Sequence, residues 1–236
     1  MGMNDGARQG LKWALVTLVA ATFALGVRFA AADWETGQTA FERGDIAAAI
    51  EAWMPLAEAG DARAQAAIGS LYIHGTGVAV DHVEALRWTR RAAEQGDVTG
   101  QFNMGTIYAG GLGVERDYTV AADWFARAAA QDDAASRFNL GVLYARGLGV
   151  PRDDEEAIFF LSTATIIAGD PEANLQEIGA AAENYAYVVM MTMEEPALTR
   201  ALERARAWER EFLQRYLGRR LRSPEPASDP DGLPSE

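Results

Sequence analysis

Apolar residues follow helical spacing between residues 65 and 164, and the whole pattern recurs every 36 residues. One block begins Ile68-Gly69-Ser70-Leu71-Tyr72, and the equivalent segments are 104–108 and 140–144. Because the apolar positions lie three and four residues apart, each segment predicts a helix. A fixed period of about 20 to 50 residues indicates an array in which one supersecondary unit stacks on copies of itself.

Each block continues with a glycine-rich break and then an acid. The breaks are 75–78, 111–114 and 147–150, and the acids are Asp81, Asp117 and Asp153. We expect the first glycine to end one helix in the left-handed conformation and the acid to N-cap the next. An Ala-aromatic-Ala face follows each acid, as at Ala85, Trp88 and Ala92. The block is therefore a helical hairpin.

One glycine lies in the middle of each first helix, at Gly69, Gly105 and Gly141. Glycine in a helix interior costs about 1 kcal/mol relative to alanine. Its recurrence at one phase predicts that another helix passes too close for a Cβ.

These positions together resemble the Sel1-like repeat, a longer-looped relative of the tetratricopeptide repeat. The likeness is specific across three units, about 62–96, 97–132 and 133–169. It is carried in the middle unit by Gln101-Phe102-Asn103-Met104-Gly105, Tyr108, Gly111-x-Gly113-Val114, Asp117, Ala121 and Trp124. The resemblance implies an all-α fold, an α/α right-handed superhelix, and an adaptor role without implying any chemistry.

The segments on either side of the three units predict further helices. Residues 33–61 resemble a tetratricopeptide-like edge repeat with its turn at Gly44-Asp45. Residues 170–222 predict a degenerate repeat, with one helix over 171–193 and a capping helix over 192–221. The capping helix carries one apolar stripe, which includes Leu202, Trp208 and Phe212.

The first 32 residues have the pattern of a secretory signal peptide. Arg8 and Lys12 precede an uncharged run over 13–27, and Ala30-Ala31-Ala32 offers a cleavage site. A cleaved signal and an uncleaved inner-membrane anchor both fit, and either places the repeats in a periplasm or outside the cell. At the other end, residues 223–236 hold four prolines and predict a disordered tail.

Charge is distributed unevenly along the chain, which has a net charge of −13. Residues 33–199 carry ten arginines and 26 acids, whereas 200–222 carry eight arginines and three glutamates. The acidic body disfavours nucleic acid as a partner. The arginines fit a cap that complements this body, or a docking surface for an acidic partner or phospholipid head groups, so membrane association stays open.

Candidate chemistry is sparse. The chain has no cysteine, and its two histidines, His74 and His82, flank a single glycine-rich loop without recurring in other repeats. No arrangement of residues predicts a catalytic centre, a metal site or a cofactor. We therefore expect a non-enzymatic periplasmic scaffold or regulator that binds a protein or peptide segment. The alternatives are a peptidoglycan- or β-lactam-related cell-wall enzyme or binder, and a membrane-tethered adaptor.

The resemblance implies that the first helix of each unit lines the concave groove of the array. Counting from the mid-helix glycine gives groove positions three before it, one after it and four or five after it. The alternative for the aromatic and asparagine positions is packing within the family pattern. The predicted partner-binding residues are Trp34, Gln38, Phe41, Ser70, His74, Phe102, Asn103, Thr106, Phe138, Asn139, Val142 and Arg146.

Overall fold

The computed structural model describes residues 34–169 and 175–220, and within these ranges the chain is helical with no strand. It divides into two compact units at Asp117 and Tyr118. Unit 1, up to Asp117, contains α1 (34–42), α2 (Ile46–Ala59), α3 (Ala62–His74), α4 (His82–Glu94) and α5 (Val98–Gly110). Unit 2, from Tyr118, contains α6 (Tyr118–Ala129), α7 (Ala134–Arg146), α8 (Asp154–Ala168), α9 (Gln176–Met190) and α10 (Glu195–Arg220).

Unit 1 is built from consecutive helices that pack on one another. Helices α2, α3, α4 and α5 form successive packed pairs, and α3 also packs on α5. Trp53, Leu56, Ile68 and Trp88 are buried in one apolar cluster between these helices. The stacking of α3 on α5 brings equivalent first helices side by side, as expected for a repeat array.

Unit 2 repeats this arrangement and adds a long last helix. Helices α6, α7, α8 and α9 form successive packed pairs, α7 also packs on α9, and α10 packs on α8. Its core joins Ile158 and Leu161 of α8 to Ala182 and Val189 of α9 and Ala201 of α10.

The helix ends follow the sequence signals. The side chains of Asp61, Asp81, Asp97, Asp133 and Asp153 each accept a hydrogen bond from a backbone N–H in the first turn of the following helix. Gly75, Gly111 and Gly147 end α3, α5 and α7 with φ values of 66°, 71° and 62°. The predicted N-caps Asp81 and Asp153 and the left-handed glycines are confirmed, and Asp61, Asp97 and Asp133 cap their helices in the same way.

The mid-helix glycines of unit 1 and unit 2 lie against a second helix, as predicted. A methyl group at Gly69 would lie 3.1 Å from the Thr89 backbone nitrogen. A methyl group at Gly141 would lie 2.7 Å from Leu161 Cγ and 3.2 Å from the Ala157 carbonyl oxygen. The third glycine, Gly105, is buried as well.

The second glycine of each loop makes a contact that the sequence did not suggest. A methyl group at Gly77 would lie 2.5 Å from Ile46 Cβ, at the start of α2. Gly113 and Gly149 meet His82 and Tyr118, the first residues of α4 and α6, in the same way. Each loop therefore rests on the start of the second helix of the preceding hairpin.

The aromatic residue of the repeat is buried to different degrees in the three repeats. Trp88 is buried in α4, but the equivalent Trp124 and Phe160 are only half-buried. In α6 and α8 the next residue, Phe125 or Leu161, is buried instead. In α4 this next position holds Thr89, which faces Gly69, so the tryptophan fills the remaining space.

The break between the two C-terminal helices is wider than predicted. Helix α9 spans Gln176–Met190 and α10 spans Glu195–Arg220, whereas the predicted helices met at 192–193. The predicted helix end at 221 is not among the described residues. The predicted helix start at Pro171, the signal segment 1–32 and the tail 223–236 lie outside the described residues. None of the described helices is both long and apolar enough to cross a membrane.

Candidate partner-binding surface

The first helix of each repeat leaves one stripe of residues open. On α3 this stripe is Arg63, Ala67, Ser70 and His74, whose spacing of four, three and four keeps them on one helix face. The other faces of α3 are packed against α2, α4 and α5. We call this face, with its equivalents on α5 and α7, the open stripe.

The open stripe recurs in part on α5. The equivalent Thr99 is exposed and Thr106 is half-buried, whereas Asn103, at the position of Ala67, is buried. The neighbouring Phe102 is half-buried and adds to this face. The Thr106 hydroxyl donates to the Phe102 carbonyl oxygen at 3.2 Å, so it satisfies its own helix. A ligand on this stripe would therefore meet the Thr106 methyl group and hydroxyl oxygen, and part of the Phe102 ring.

In unit 2 the open stripe lies on α7 and includes Asn139, Val142 and Arg146. Asn139 Nδ2 donates to the Ala135 carbonyl oxygen at 2.9 Å. Phe138 is partly buried against the core of unit 2, which it shares with Tyr144. Val142 is half-buried and Arg146 is exposed, so these two side chains offer the accessible part of this face.

Two predicted residues have a packing role. Asn103 is 2% exposed, and its side-chain nitrogen has no hydrogen-bond partner in the described structure. Trp34 stacks on Trp53 with ring centroids 5.1 Å apart, and its carbonyl oxygen accepts from Trp53 Nε1. The Arg63 guanidinium lies 3.8 Å from the Trp34 ring centroid. Asn103 is thus buried, which corrects the expectation of an open position there, whereas Trp34 is half-buried and its contact with a partner stays a prediction.

The other predicted residues of α1 lie at the surface. Gln38 Nε2 donates to Glu42 Oε1 at 2.9 Å on the same helix. Phe41 is 39% exposed, and its ring lies 5.9 Å from that of Trp53. Phe41 is thus the aromatic residue of α1 that offers apolar surface to solvent.

Burial shifts the pKa of two titratable groups in this region. Burial raises the pKa of Asp97, the N-cap of α5, and the charge of Asp61 adds to the rise. Burial also raises the pKa of Tyr144 beside Glu156 and Asp153. Both groups lie at helix ends or within packing. In the part of the chain that the structure describes, no three metal-binding side chains come together.

The arginines of α10 pair with acids of their own unit. Arg200 pairs with Glu155, Arg204 NH2 lies 3.0 Å from Glu156 Oε2, and Arg215 NH1 lies 3.1 Å from Asp132 Oδ2. These pairs support the interpretation of α10 as a cap that complements an acidic surface. The buried partner of Asp132, Arg137, was not singled out from the sequence, although it replaces the glutamine of the two earlier repeats.

The described residues thus define an all-α protein of the helical-hairpin repeat class. A family model described as Sel1 repeat matches residues 62–97, 98–133 and 134–165. These residues are three Sel1 repeats, and the predicted family and fold class are confirmed. Sel1 repeats generally mediate protein–protein interactions.

Two solved structures show the same fold. The protein c5321, a protective antigen of uropathogenic Escherichia coli with an SLR fold, is 30% identical with a TM-score of 0.58. The match covers 76% of this chain but only 38% of c5321. A Sel1 repeat protein from Oxalobacter formigenes is 25% identical with a TM-score of 0.59, over 75% of this chain and 70% of that one. Comparison with curated proteins gives no significant match.

Proposed function

We propose that the protein is a non-catalytic scaffold or regulator that binds a segment of a partner protein on the open stripes of its first helices. The observation that carries this proposal is the recurrence of the open stripe at one phase of α3, α5 and α7. Ser70, Thr106 and Val142, each one residue after the mid-helix glycine, are all left half-buried. A surface that packing leaves open in every repeat is available for a ligand.

The side chains of the open stripe suit a bound polypeptide. Ser70, Thr106 and Val142 are small, so the backbone of a bound segment can approach the helices closely. Phe102 and Phe41 add partly exposed rings in unit 1, and aromatic side chains contribute strongly at protein interfaces. The exposed faces of the second helices carry charged residues within the helix, such as Arg90 and Asp123, whereas Arg63 and Arg146 of the open stripe lie at helix ends.

Site-specific photo-crosslinking tests this proposal. A photoreactive amino acid replaces Thr106 or Val142 in the full-length protein, expressed in its native organism. The matched controls replace Arg90 and Ala126, which are exposed on α4 and α6. We expect a discrete adduct from position 106 in unit 1 and, tested separately, from position 142 in unit 2, and none from 90 and 126. Adducts from the control positions alone, or equally from all four, would contradict binding at the open stripe.

We further propose that the scaffold acts in the periplasm, because residues 1–32 have the pattern of an export signal. The N-terminal sequence of the protein recovered from the cell envelope tests this part. A mature chain that begins at Asp33 indicates cleavage, and an intact N-terminus in the membrane fraction indicates an anchor. Recovery of the intact chain from the cytoplasm would refute export. The alternatives of a cell-wall enzyme and a lipid-binding adaptor have no specific support among the described contacts.

A further inference from the structure

The outer face of α8 carries apolar residues at positions where α4, the second helix of an earlier repeat, carries charged residues. Helix α4 exposes Arg87 and Glu94, and 72 residues later α8 has Phe159 and Ile166 at these positions. Both α8 residues are half-buried, because α10 packs on this helix. The third repeat therefore presents a surface suited to a helix, and α10 occupies it.

The contact between α10 and α8 is a narrow seam with charged edges. Ala201 and Ala205 of α10 are buried, while Leu213 further along the helix is 43% exposed. The Arg204 guanidinium lies 4.0 Å from the Phe159 ring centroid and pairs with Glu156. Because Arg200 and Arg204 are four residues apart, they meet the adjacent acids Glu155 and Glu156 from one face of α10.

An open cleft beside the seam shows that α10 fills this surface incompletely. The cleft has a volume of about 290 Å³ and is lined by Ile166 of α8, Met190 of α9 and Leu202 of α10. Glu183 and Arg206 also line it. The apolar surface that includes Ile166 and Met190 therefore extends beyond the area that α10 covers.

A second attachment holds the overhanging part of α10. At about 1.5 Å per residue, the 26 residues of α10 extend well beyond the 15 residues of α8. Arg137 NH2 lies 3.2 Å from Asp132 Oδ1, and Arg215 of α10 contacts the other oxygen of Asp132. The Arg137 guanidinium also lies 4.3 Å from the Trp208 ring centroid. The Arg137 side chain is only 6% exposed, so its charge depends on Asp132 for compensation.

Two residues of this attachment, Arg137 and Asp132, depart from the repeat pattern. Arg137 takes the position of Gln65 and Gln101, and Asp132 takes that of Gly60 and Gly96. Asp132 has a φ of 65°, and no other non-glycine residue in the described ranges has a positive φ. This conformation disfavours aspartate relative to glycine, so the contact with Arg137 and Arg215 offsets a local cost. We call Asp132, Arg137 and Arg215 the latch.

We propose that α10 is an internal ligand, an arginine-rich amphipathic helix that occupies a helix-binding face of α8 and is retained there by the latch. Its release uncovers Phe159, Ile166, Glu155 and Glu156 for a partner helix with the same chemistry: an apolar seam and two arginines four residues apart. This face lies on a second helix, so the inference is independent of binding at the open stripe.

Cysteine labelling tests the latch, since the native chain contains no cysteine. An Ala205→Cys reporter lies on the buried face of α10, and an Ala128→Cys reporter lies on the buried face of α6 in the same unit. The latch is broken by Asp132→Gly or Arg137→Gln, each of which restores the residue of the earlier repeats. Arg206→Gln, an exposed arginine of α10 outside the latch, is the control.

We expect both latch variants to accelerate thiol labelling at position 205 by about tenfold or more, because a buried ion pair loses one partner. Labelling at position 128 and the effect of Arg206→Gln should remain near the parent rates. Unchanged labelling at 205 would overturn the latch. If thiol labelling accelerates equally at positions 205 and 128, the release of α10 would also be refuted, because α10 and the core of unit 2 would then open together.

A peptide of residues 195–220 tests the helix-binding face itself. The labelled peptide is titrated into the full-length protein and into its Arg137→Gln variant, with a peptide carrying Arg200→Glu and Arg204→Glu as control. We expect at least about tenfold tighter binding to the variant than to the parent, and loss of binding for the control peptide. Equal affinity for the two proteins, or an undiminished affinity of the control peptide, would refute an internal ligand.

Discussion

Gly113 lies directly against His82: a methyl group at Gly113 would be 2.8 Å from His82 Cβ and 3.2 Å from the His82 carbonyl oxygen. The loop of one repeat thereby rests on the first residue of the second helix of the preceding repeat. Equivalent contacts join Gly77 to Ile46 and Gly149 to Tyr118. The glycine-rich loop is therefore a packing element between hairpins as well as a helix end.

Substitution of Gly113 should lower the free energy of unfolding more than substitution of a glycine that is required only for its left-handed backbone conformation. Gly113 and Gly96 have φ values of 70° and 89°, but a methyl group at Gly96 meets no atom within 4 Å. Gly96→Ala should cost about 1 to 2 kcal/mol for the left-handed conformation. Gly113→Ala should cost about 1 to 3 kcal/mol more, because the His82 backbone cannot yield freely.

Urea denaturation of the two variants, both in unit 1, measures this difference. Equal losses in the free energy of unfolding would mean that the loop does not depend on close contact with α4.

Replacement of the mid-helix Gly69 by alanine should lower stability, although alanine is the better helix former. A methyl group at Gly69 would collide with the Thr89 hydroxyl and lie 3.1 Å from the Thr89 nitrogen. We expect Gly69→Ala to destabilise unit 1 by about 1 to 3 kcal/mol despite the helix propensity of alanine. The exposed Gly110, whose nearest neighbour is the flexible Leu112 side chain, is the control. Gly110→Ala should be neutral or stabilising in thermal unfolding.

Removal of the opposing hydroxyl should partly rescue this substitution. The Thr89 hydroxyl is buried without a hydrogen-bond partner in the described structure, so Thr89→Ala alone should cost little. In a double-mutant cycle, Gly69→Ala with Thr89→Ala should recover part of the lost stability. Strict additivity would indicate that the backbone of α4, and not the Thr89 side chain, sets the limit.

Gln65 should stabilise unit 1 through the hydrogen bonds of its side-chain amide, and not through the volume it fills. Its Nε2 donates to the Ala57 carbonyl oxygen at 2.8 Å, and its Oε1 accepts from Gln95 Nε2 at 2.8 Å. Gln65→Met preserves the shape but removes this buried hydrogen bond and leaves the Ala57 carbonyl oxygen with the Gly60 N–H as its remaining donor, at a cost of about 0.5 to 1.5 kcal/mol. Chemical denaturation should show a smaller loss for Gln95→Met, since Gln95 is exposed. A stabilised Gln65→Met variant would contradict the structural role of this hydrogen bond.

The stability of unit 1 should respond to the titration of Asp97. Burial raises its pKa above the ordinary value of 3.8, so the folded state holds the proton more strongly than the unfolded state. The charged form therefore weakens the fold at neutral pH, and this penalty fades as the pH falls through the raised folded value towards 3.8. Asp97→Asn keeps an N-cap for Gly100 N–H and should match or exceed the parent stability at pH near 7.

Urea denaturation across the acidic range checks the sign of this effect. The stability of the parent relative to Asp97→Asn should rise on acidification. Asp97→Ala, which loses the 2.7 Å bond to Gly100 N–H, should cost about 1 kcal/mol at neutral pH. A parent that loses stability relative to Asp97→Asn on acidification would show that the N-cap bond outweighs burial.

Only some of the predicted partner-binding residues lie at open positions in the structure. Ser70, Thr106 and Val142 lie half-open as the glycine-based count predicted, because helix periodicity relates them to a packed neighbour. Asn103 is buried and Trp34 is half-buried against Trp53, because their exposure depends on another helix or ring. Whether the open residues bind a partner stays a prediction.

The sequence by itself determined the hairpin repeat, its period and the helix ends, since caps and left-handed glycines act within a few residues. Only the tertiary structure decided that Gly113 packs on His82 and that Arg137 reaches Asp132 and Trp208. It also decided how far the predicted groove positions are covered, as at the buried Asn103. These features arise from contacts between segments distant in the chain, and no local pattern encodes how closely two helices approach.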